Sequence, residues 1–189
     1  MAALQYVHEA KYRALLIRPD YNTLENGIMK HVNNWLINTS AKWKEKNLTW
    51  SFPNGARLTL SYLHDGKKNH KFSGRNYHFI GCDDLTGFKR EEYMKLRTFL
   101  SPSPNPWLPL RVFSTGNAFS GPHVGWVKER FITKSTEEIA RYNRYTISAV
   151  IEDNPHINSV AVRRRYHRLN PLEQAQLFDC SWDLENPGL

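Results

Sequence analysis

Three short apolar runs, each closed by a charged or turn-forming residue, limit most strongly how this chain can fold. Arg13-Ala14-Leu15-Leu16-Ile17-Arg18 stops at Pro19, Tyr77-His78-Phe79-Ile80-Gly81-Cys82 runs into Asp83-Asp84, and Leu110-Arg111-Val112-Phe113-Ser114 ends in Thr115-Gly116-Asn117. A run that is apolar throughout, rather than at every second position, is the pattern of a strand buried on both faces, and such strands belong to parallel sheets covered by helices. Segments at helical spacing separate the runs: 23–37 carries Leu24, Ile28, Val32, Trp35 and Leu36, and similar patterns cover 90–100, 124–131, 159–168 and 172–178. Strands alternating with helices predict an α/β fold with a mostly parallel sheet flanked by helices. Thr49-Trp50-Ser51-Phe52 and 56–63 flank Pro53-Asn54-Gly55, which predicts a hairpin. A further strand is expected over 145–151. Residues 2–9 have helical composition with no cap ahead of them, and read as the last turns of a helix.

Composition removes several function classes. With 40% hydrophobic and 13% aromatic residues the 189-residue chain has the material for a buried core, which argues against disorder. No run of 18 apolar residues could cross a bilayer, and the first twelve residues carry His8, Glu9 and Lys11 where a secretory leader needs an apolar stretch. The expectation is a cytoplasmic protein with no membrane partner. Cys82 and Cys180 stand far apart without a CxxC pair, and the eight histidines show no ligand spacing, so both cysteines read as plain thiols and no zinc site is expected. The charge is the exception: 26 basic against 18 acidic residues give +8, which favours phosphate-bearing partners.

In open α/β sheets ligands bind beyond the carboxyl ends of the strands, so the residues just after each apolar run carry the candidate chemistry. Asp83-Asp84 is the first such place. An apolar strand closing in two carboxylates has the form of a Walker B element, whose first acid holds Mg²⁺, usually through water, and whose second orients the attacking water. The same pair also serves as a turn former or helix cap. Ser114-Thr115-Gly116-Asn117 is the second, where hydroxyl and amide groups at the end of a neighbouring strand could sense a γ-phosphate. The stretch between Asp83 and Ser114 has room for one helix, as a right-handed crossover between adjacent parallel strands requires.

In this order and spacing, 13–18, 49–56, the run from Phe72 to Asp84, 114–117 and 121–131 resemble the ATPase region of tailed-phage terminase large subunits. The resemblance extends through Glu152-Asp153-Asn154-Pro155 and 176–182, and so covers almost the whole chain. It implies a P-loop NTPase-like, additional-strand fold, N-terminally truncated, with ATP and Mg²⁺ as cofactors, that drives double-stranded DNA into a procapsid. By the same resemblance the partners are a portal protein, a small terminase subunit and further copies in a homo-oligomeric ring on the portal, in the cytoplasm of an infected or lysogenic bacterial host. Asp83 takes the Mg²⁺-associated role, Asp84 the catalytic one, and Ser114, Thr115 and Asn117 the coupling motif. Lys71 or Arg75, in the basic loop ahead of the Walker B strand, would contact phosphate in a ring neighbour. Residues 1–154 would form a partial ATPase core and 155–189 a helical segment leading toward a nuclease domain.

The sequence also departs from that pattern. A Walker A loop, GxxxxGK[ST], does not occur within it: Gly66-Lys67 is the only Gly-Lys pair, and Lys68 follows it. Without the loop's amides, lysine and hydroxyl, negligible ATPase activity is expected of this chain alone. Family members generally have Glu where Asp84 stands, and the missing methylene shortens its reach by about 1.5 Å. Ala118 replaces a proline often found after the coupling Asn. Two other readings therefore stay open: a non-catalytic DNA-binding remnant, and a different P-loop motor such as a helicase.

Overall fold

In a computed structural model of the chain, the structure describes residues 2–63, 75–102, 107–118, 121–133, 137 and 143–182. The chain divides into two units, Met1–Thr115 and Gly116–Leu189.

The first unit is built on a six-stranded sheet. Its strands are β1 Arg13–Arg18, β2 Lys42–Lys44, β3 Thr49–Ser51, β4 Arg57–Tyr62, β5 Phe79–Cys82 and β6 Arg111–Ser114, and their spatial order is β2-β3-β4-β1-β5-β6. β4, β1, β5 and β6 are mutually parallel, and β2 and β3 join antiparallel. The three apolar runs are therefore adjacent parallel strands, but only β1 and β5 lie inside the sheet and are largely buried; β6, expected to be buried on both faces, is the last strand in the order among the described residues, with a neighbour on one side only and Phe113 53% exposed. The sheet is mixed because the 53–55 hairpin adds an antiparallel pair. In that hairpin Phe52 N donates to Ala56 O and Gly55 N to Phe52 O. Gly55 sits at φ +89°, a conformation open to glycine without strain.

Register sorts the side chains into two faces. Trp43, Trp50, Leu58, Ala14 and Phe79 form one cross-strand row, and Leu24, Met29, Val32 and Leu36 pack with it into one apolar cluster. Those four lie on α1 (Tyr21–Leu24), a π-helical turn (Glu25–Met29) and α2 (Lys30–Leu36). The helix predicted over 23–37 thus forms, with its apolar spacing shifted by one π turn in the middle. Asp20 caps its start by accepting from Thr23 N at 2.9 Å. α3 (Arg90–Arg97) follows β5, its first turn closed by Lys89 N donating to Glu92.

Residues 2–12 depart from the expected helix. After a 3₁₀ turn at Ala2–Leu4 the chain advances by successive i to i+3 bonds, from Gln5, Val7, Glu9 and Tyr12. Contacts with the sheet outweigh weak local helix propensity here, since so short a segment nucleates poorly: Asn54 donates to Val7 O at 2.8 Å, Arg111 donates to Gln5 Oε1 at 3.2 Å, and Tyr12 is fully buried.

In the second unit α4 (Val124–Val127) continues into a π turn at Lys128–Ile132. α5 (Ser159–Arg165) is capped by Asn158 and α6 (Pro171–Phe178) by Asn170, with Pro171 at the first helical position and Glu173 completing a capping box. Arg163 ties them together, its guanidinium contacting Glu152 at 2.9 Å and Asp179 at 2.7 Å and lying over the Phe178 ring. The strand expected over 145–151 does not form: that stretch is irregular up to a 3₁₀ turn at Ile151–Asp153, with Tyr145 and Ile147 fully solvent-facing at 81% and 91% exposure. Alternating hydrophobicity makes a strand only where a partner strand takes its hydrogen bonds, and no ladder among the described residues includes it.

Candidate active site

β1, β5 and β6 end side by side at one edge of the sheet, and the ladder continues one residue past each. Asp83 N donates to Ile17 O, Thr115 N to Cys82 O and Leu85 N to Thr115 O, at 3.0, 3.0 and 2.7 Å. These bonds fix where Asp83, Asp84 and Thr115 begin. Side chains pack tightly over β5 here: a Cβ on Gly81 would sit 2.5 Å from Leu16 Cδ2 and 3.1 Å from the Phe79 ring. Glycine at 81 leaves the space that the Leu16 side chain fills.

Asp83 is held from two sides. Thr115 Oγ1 donates to Oδ1 at 2.5 Å, and Arg18 Nε lies 2.6 Å from Oδ2, with side-chain exposures of 22% and 29% for Arg18 and Asp83. Arg18 Nη1 also donates to Thr23 O at 2.9 Å. Gly27 leaves room for it, since a Cβ there would stand 3.2 Å from Nη1. Arg18 therefore links the end of β1, the first turn of α1 and the acid at the end of β5.

Asp84 takes a left-handed backbone conformation, φ +61° and ψ +59°. Aspartate tolerates that region better than most residues because its short side chain bonds locally, and here Asp84 Oδ1 accepts from Thr86 Oγ1 at 3.2 Å. Asp84 N points at Thr115 Oγ1, 3.3 Å away. One threonine hydroxyl thus touches both members of the acidic pair. The tight turn that follows depends on Gly87, where a Cβ would meet Pro19 Cγ at 2.5 Å.

Of the residues singled out in the sequence, Asp83, Asp84 and Thr115 come together. Ser114, register partner of Cys82, turns to the interior instead: its hydroxyl is buried beside the Cys82 thiol with no aligned hydrogen-bond partner. Burial pushes the Cys82 thiol up to about 12, so it stays protonated and inert. Asn117 falls in the second unit. Lys71 lies outside the described residues. Arg75 precedes β5, at the amino end of the strand whose carboxyl end carries Asp83. Arg18 is the residue that sequence reasoning passes over. Its one sequence signal is its place as the last residue before Pro19, and its meaning depends on the β1–β5 register that pairs Ile17 with Cys82.

The oxygen donors here suit a hard cation. One carboxylate and one hydroxyl match an ion such as Mg²⁺ that keeps most of its water, whereas no group of three or more His, Cys, Asp or Glu among the described residues could enclose a metal. Arg18 already neutralises one oxygen of Asp83, so a cation approaching that carboxylate competes with the guanidinium.

Comparison with known proteins places these features in a family. The family model for the terminase large subunit, T4likevirus-type, N-terminal, matches residues 3–188. Among solved structures, the large terminase of a thermophilic bacteriophage superposes with a TM-score of 0.64 at 13% identity over 90% of this chain and 41% of that one. The complex of that same terminase with ATP-gamma-S gives 0.66 at 12%, over 92% and 40%. The Thermus Phage P74-26 large terminase ATPase domain gives 0.51 at 11%, over 96% of this chain and 81% of that one. The chain spans about two-fifths of the length of the thermophilic-phage terminase. No curated protein sequence matches it significantly.

Proposed function

Because this chain belongs to the terminase large subunit, T4likevirus-type, N-terminal family, with the P-loop NTPase fold of its structural neighbours, we propose that it is the Walker B half of a viral DNA-packaging ATPase. The observation that carries this reading is the Asp83–Thr115–Asp84 constellation at the carboxyl edge of the parallel strands, where α/β folds bind their ligands.

In this reading Asp83, with Thr115, holds the water shell of Mg²⁺, which screens phosphate charge when bound. Asp84, next along the chain, orients the attacking water. Thr115 connects the two acids and the end of β6, so a change at the γ-phosphate passes to β6 and on to Asn117. Ser114 supports β6 from within. The substrate is ATP and the partner double-stranded DNA, with a portal protein, a small terminase subunit and sister copies in a ring in the bacterial host cytoplasm. Residues 1–154 act as the ATPase core and 155–189 as the segment leading toward a nuclease. No helix among the described residues is long and apolar enough to cross a membrane.

The test is binding of a fluorescent ATP analogue with Mn²⁺ as a spectroscopic stand-in for Mg²⁺. Support is nucleotide-dependent Mn²⁺ binding that Asp83→Asn abolishes and Thr115→Val weakens. Nucleotide binding indifferent to both substitutions refutes the site. No nucleotide binding up to millimolar concentration favours the DNA-binding remnant.

A further inference from the structure

The face of the sheet opposite the α1–α2 cluster is polar where the hairpin strands join it. Register lines up Lys42, Ser51, Arg57 and Arg13 in one cross-strand row, and Lys44, Thr49 and Thr59 in the next. Arg13 and Arg57 are direct partners on neighbouring parallel strands, about 4.8 Å apart at their backbones. Like charges so placed repel, yet no carboxylate among the described residues forms an ion pair with Arg13, Arg57, Lys44 or Arg75. All four line a cavity of about 200 Å³ that has no acidic residue in its wall.

The wall also contains an unmet hydrogen-bonding group. Tyr77 is 3% exposed, and its hydroxyl lies beside Arg75 and Thr59 without an aligned hydrogen-bond partner. A buried hydroxyl left unpaired destabilises the fold, and the repulsion between the arginines adds to that cost. Both are relieved by one occupant: a compact anion with several acceptor oxygens. The neighbouring hydroxyls of Thr49 and Thr59, 3.2 Å apart, are already engaged, Thr49 Oγ1 donating to Asn47 O at 2.9 Å, so the donors such an anion would meet are the basic side chains and the Tyr77 hydroxyl.

We propose that this pocket binds a phosphate group, and that the phosphate belongs to the backbone of the DNA the chain handles. The second half of the proposal rests on the packaging reading; the first does not. The site lies near the amino ends of β1 and β4, whereas Asp83 and Thr115 follow the carboxyl ends of β5 and β6, so it is separate from the nucleotide site. Arg75 then has a role at a phosphate within its own subunit.

The experiment has two arms on the whole chain. In the first, inorganic phosphate and pyrophosphate are titrated in thermal melts. The wild type is expected to gain several degrees, Arg57→Gln to lose most of the gain, and Tyr77→Phe to melt at or above the wild type without ligand yet gain less with it. That opposition separates a binding role from a structural one. A wild-type melt indifferent to both anions, or shifts that persist in both variants, overturns the pocket. In the second arm, affinity for a duplex of random sequence is measured from 50 to 300 mM KCl. Backbone binding predicts that Arg57→Gln weakens affinity and flattens the slope of log affinity against log salt by about 0.9. An unchanged slope, with the wild type binding duplex, overturns the DNA source while the packaging reading stands. A wild type that binds no duplex at 50 mM counts against the packaging reading itself, and the first arm still decides the pocket.

Discussion

Arg18 and Asp83 meet across the carboxyl edge of the sheet, Nε 2.6 Å from Oδ2, with Thr115 closing on the other oxygen of the same carboxylate. The acid at the end of β5 is thus already charge-balanced by the strand beside it. The pair is about three-quarters buried, between the exposed case, worth about 0–1 kcal/mol, and the fully buried one, where removing a single partner costs about 3–5 kcal/mol. A double-mutant cycle of Arg18→Gln and Asp83→Asn, read by urea unfolding, is expected to give a coupling of about 1–2 kcal/mol. A coupling near zero would mean the contact is incidental.

Arg18 also competes for the Asp83 carboxylate. Arg18→Gln is therefore expected to tighten Mn²⁺ binding several-fold while lowering stability, whereas Asp83→Asn loses both the ion pair and the metal. Electron paramagnetic resonance titration of Mn²⁺ checks this. Weaker Mn²⁺ binding in Arg18→Gln would instead show that the arginine organises the site.

Gly81 leaves room for the Leu16 side chain packed over it. In Gly81→Ala the new methyl stands 2.5 Å from Leu16 Cδ2, and the expected loss is about 1–3 kcal/mol, the range for overpacking. Leu16→Ala in the same chain should recover part of that loss. Chemical denaturation of the single and double variants measures both.

Asp84 occupies a left-handed conformation. Replacing it with Glu restores the missing methylene but gives up the short side chain that bonds locally, so Asp84→Glu is expected to cost about 1 kcal/mol of stability. Asp84→Asn should stay close to the wild type. Equal stabilities for the two variants would show that the backbone there relaxes freely.

His78 gives the fold a pH dependence. It is 6% exposed, and its Nδ1 accepts from Arg13 N at 3.0 Å, which requires that nitrogen to be unprotonated. Burial, and secondarily the Arg13 charge, lower its affinity for a proton. Above about pH 6.5 both folded and unfolded chains carry neutral imidazole and nothing is lost. Below it the unfolded chain binds a proton that the folded chain resists, so stability falls as pH drops from about 6.5 toward the lowered folded value. Urea midpoints between pH 5 and 7.5 should slope downward toward acid in the wild type. His78→Asn keeps an acceptor but cannot titrate, and should remove the His78 part of that slope.

Much of the architecture follows from local pattern. The apolar runs 13–18 and 77–82 lead into buried strands, the Pro53-Asn54-Gly55 turn reverses the chain, and the Asp83-Asp84 pair stands at a strand end because the apolar run stops there; 110–114 forms its strand too, but at the end of the sheet order and half-exposed, which its apolar run does not reveal. These properties depend on neighbours in sequence. The limits of that reasoning show at 145–151, whose strand-like alternation has no partner ladder among the described residues, and at 2–12, where contacts with Asn54 and Arg111 take precedence over helical composition.

Pairs distant in sequence are another matter. Local pattern dictates that carboxylates and hydroxyls stand at the ends of strands. Only the register joining Ile17 to Cys82, and Cys82 to Ser114, decided that Arg18 faces Asp83, that Thr115 touches both acids, and that Ser114 points inward beside Cys82. The Arg13–Arg57 row arose in the same way, from the pairing of β1 with β4. The physical reason is the two-residue period of a strand: shifting any strand by one position exchanges its two faces, so which side chains meet is fixed by hydrogen bonding between strands and not by the order of residues within one.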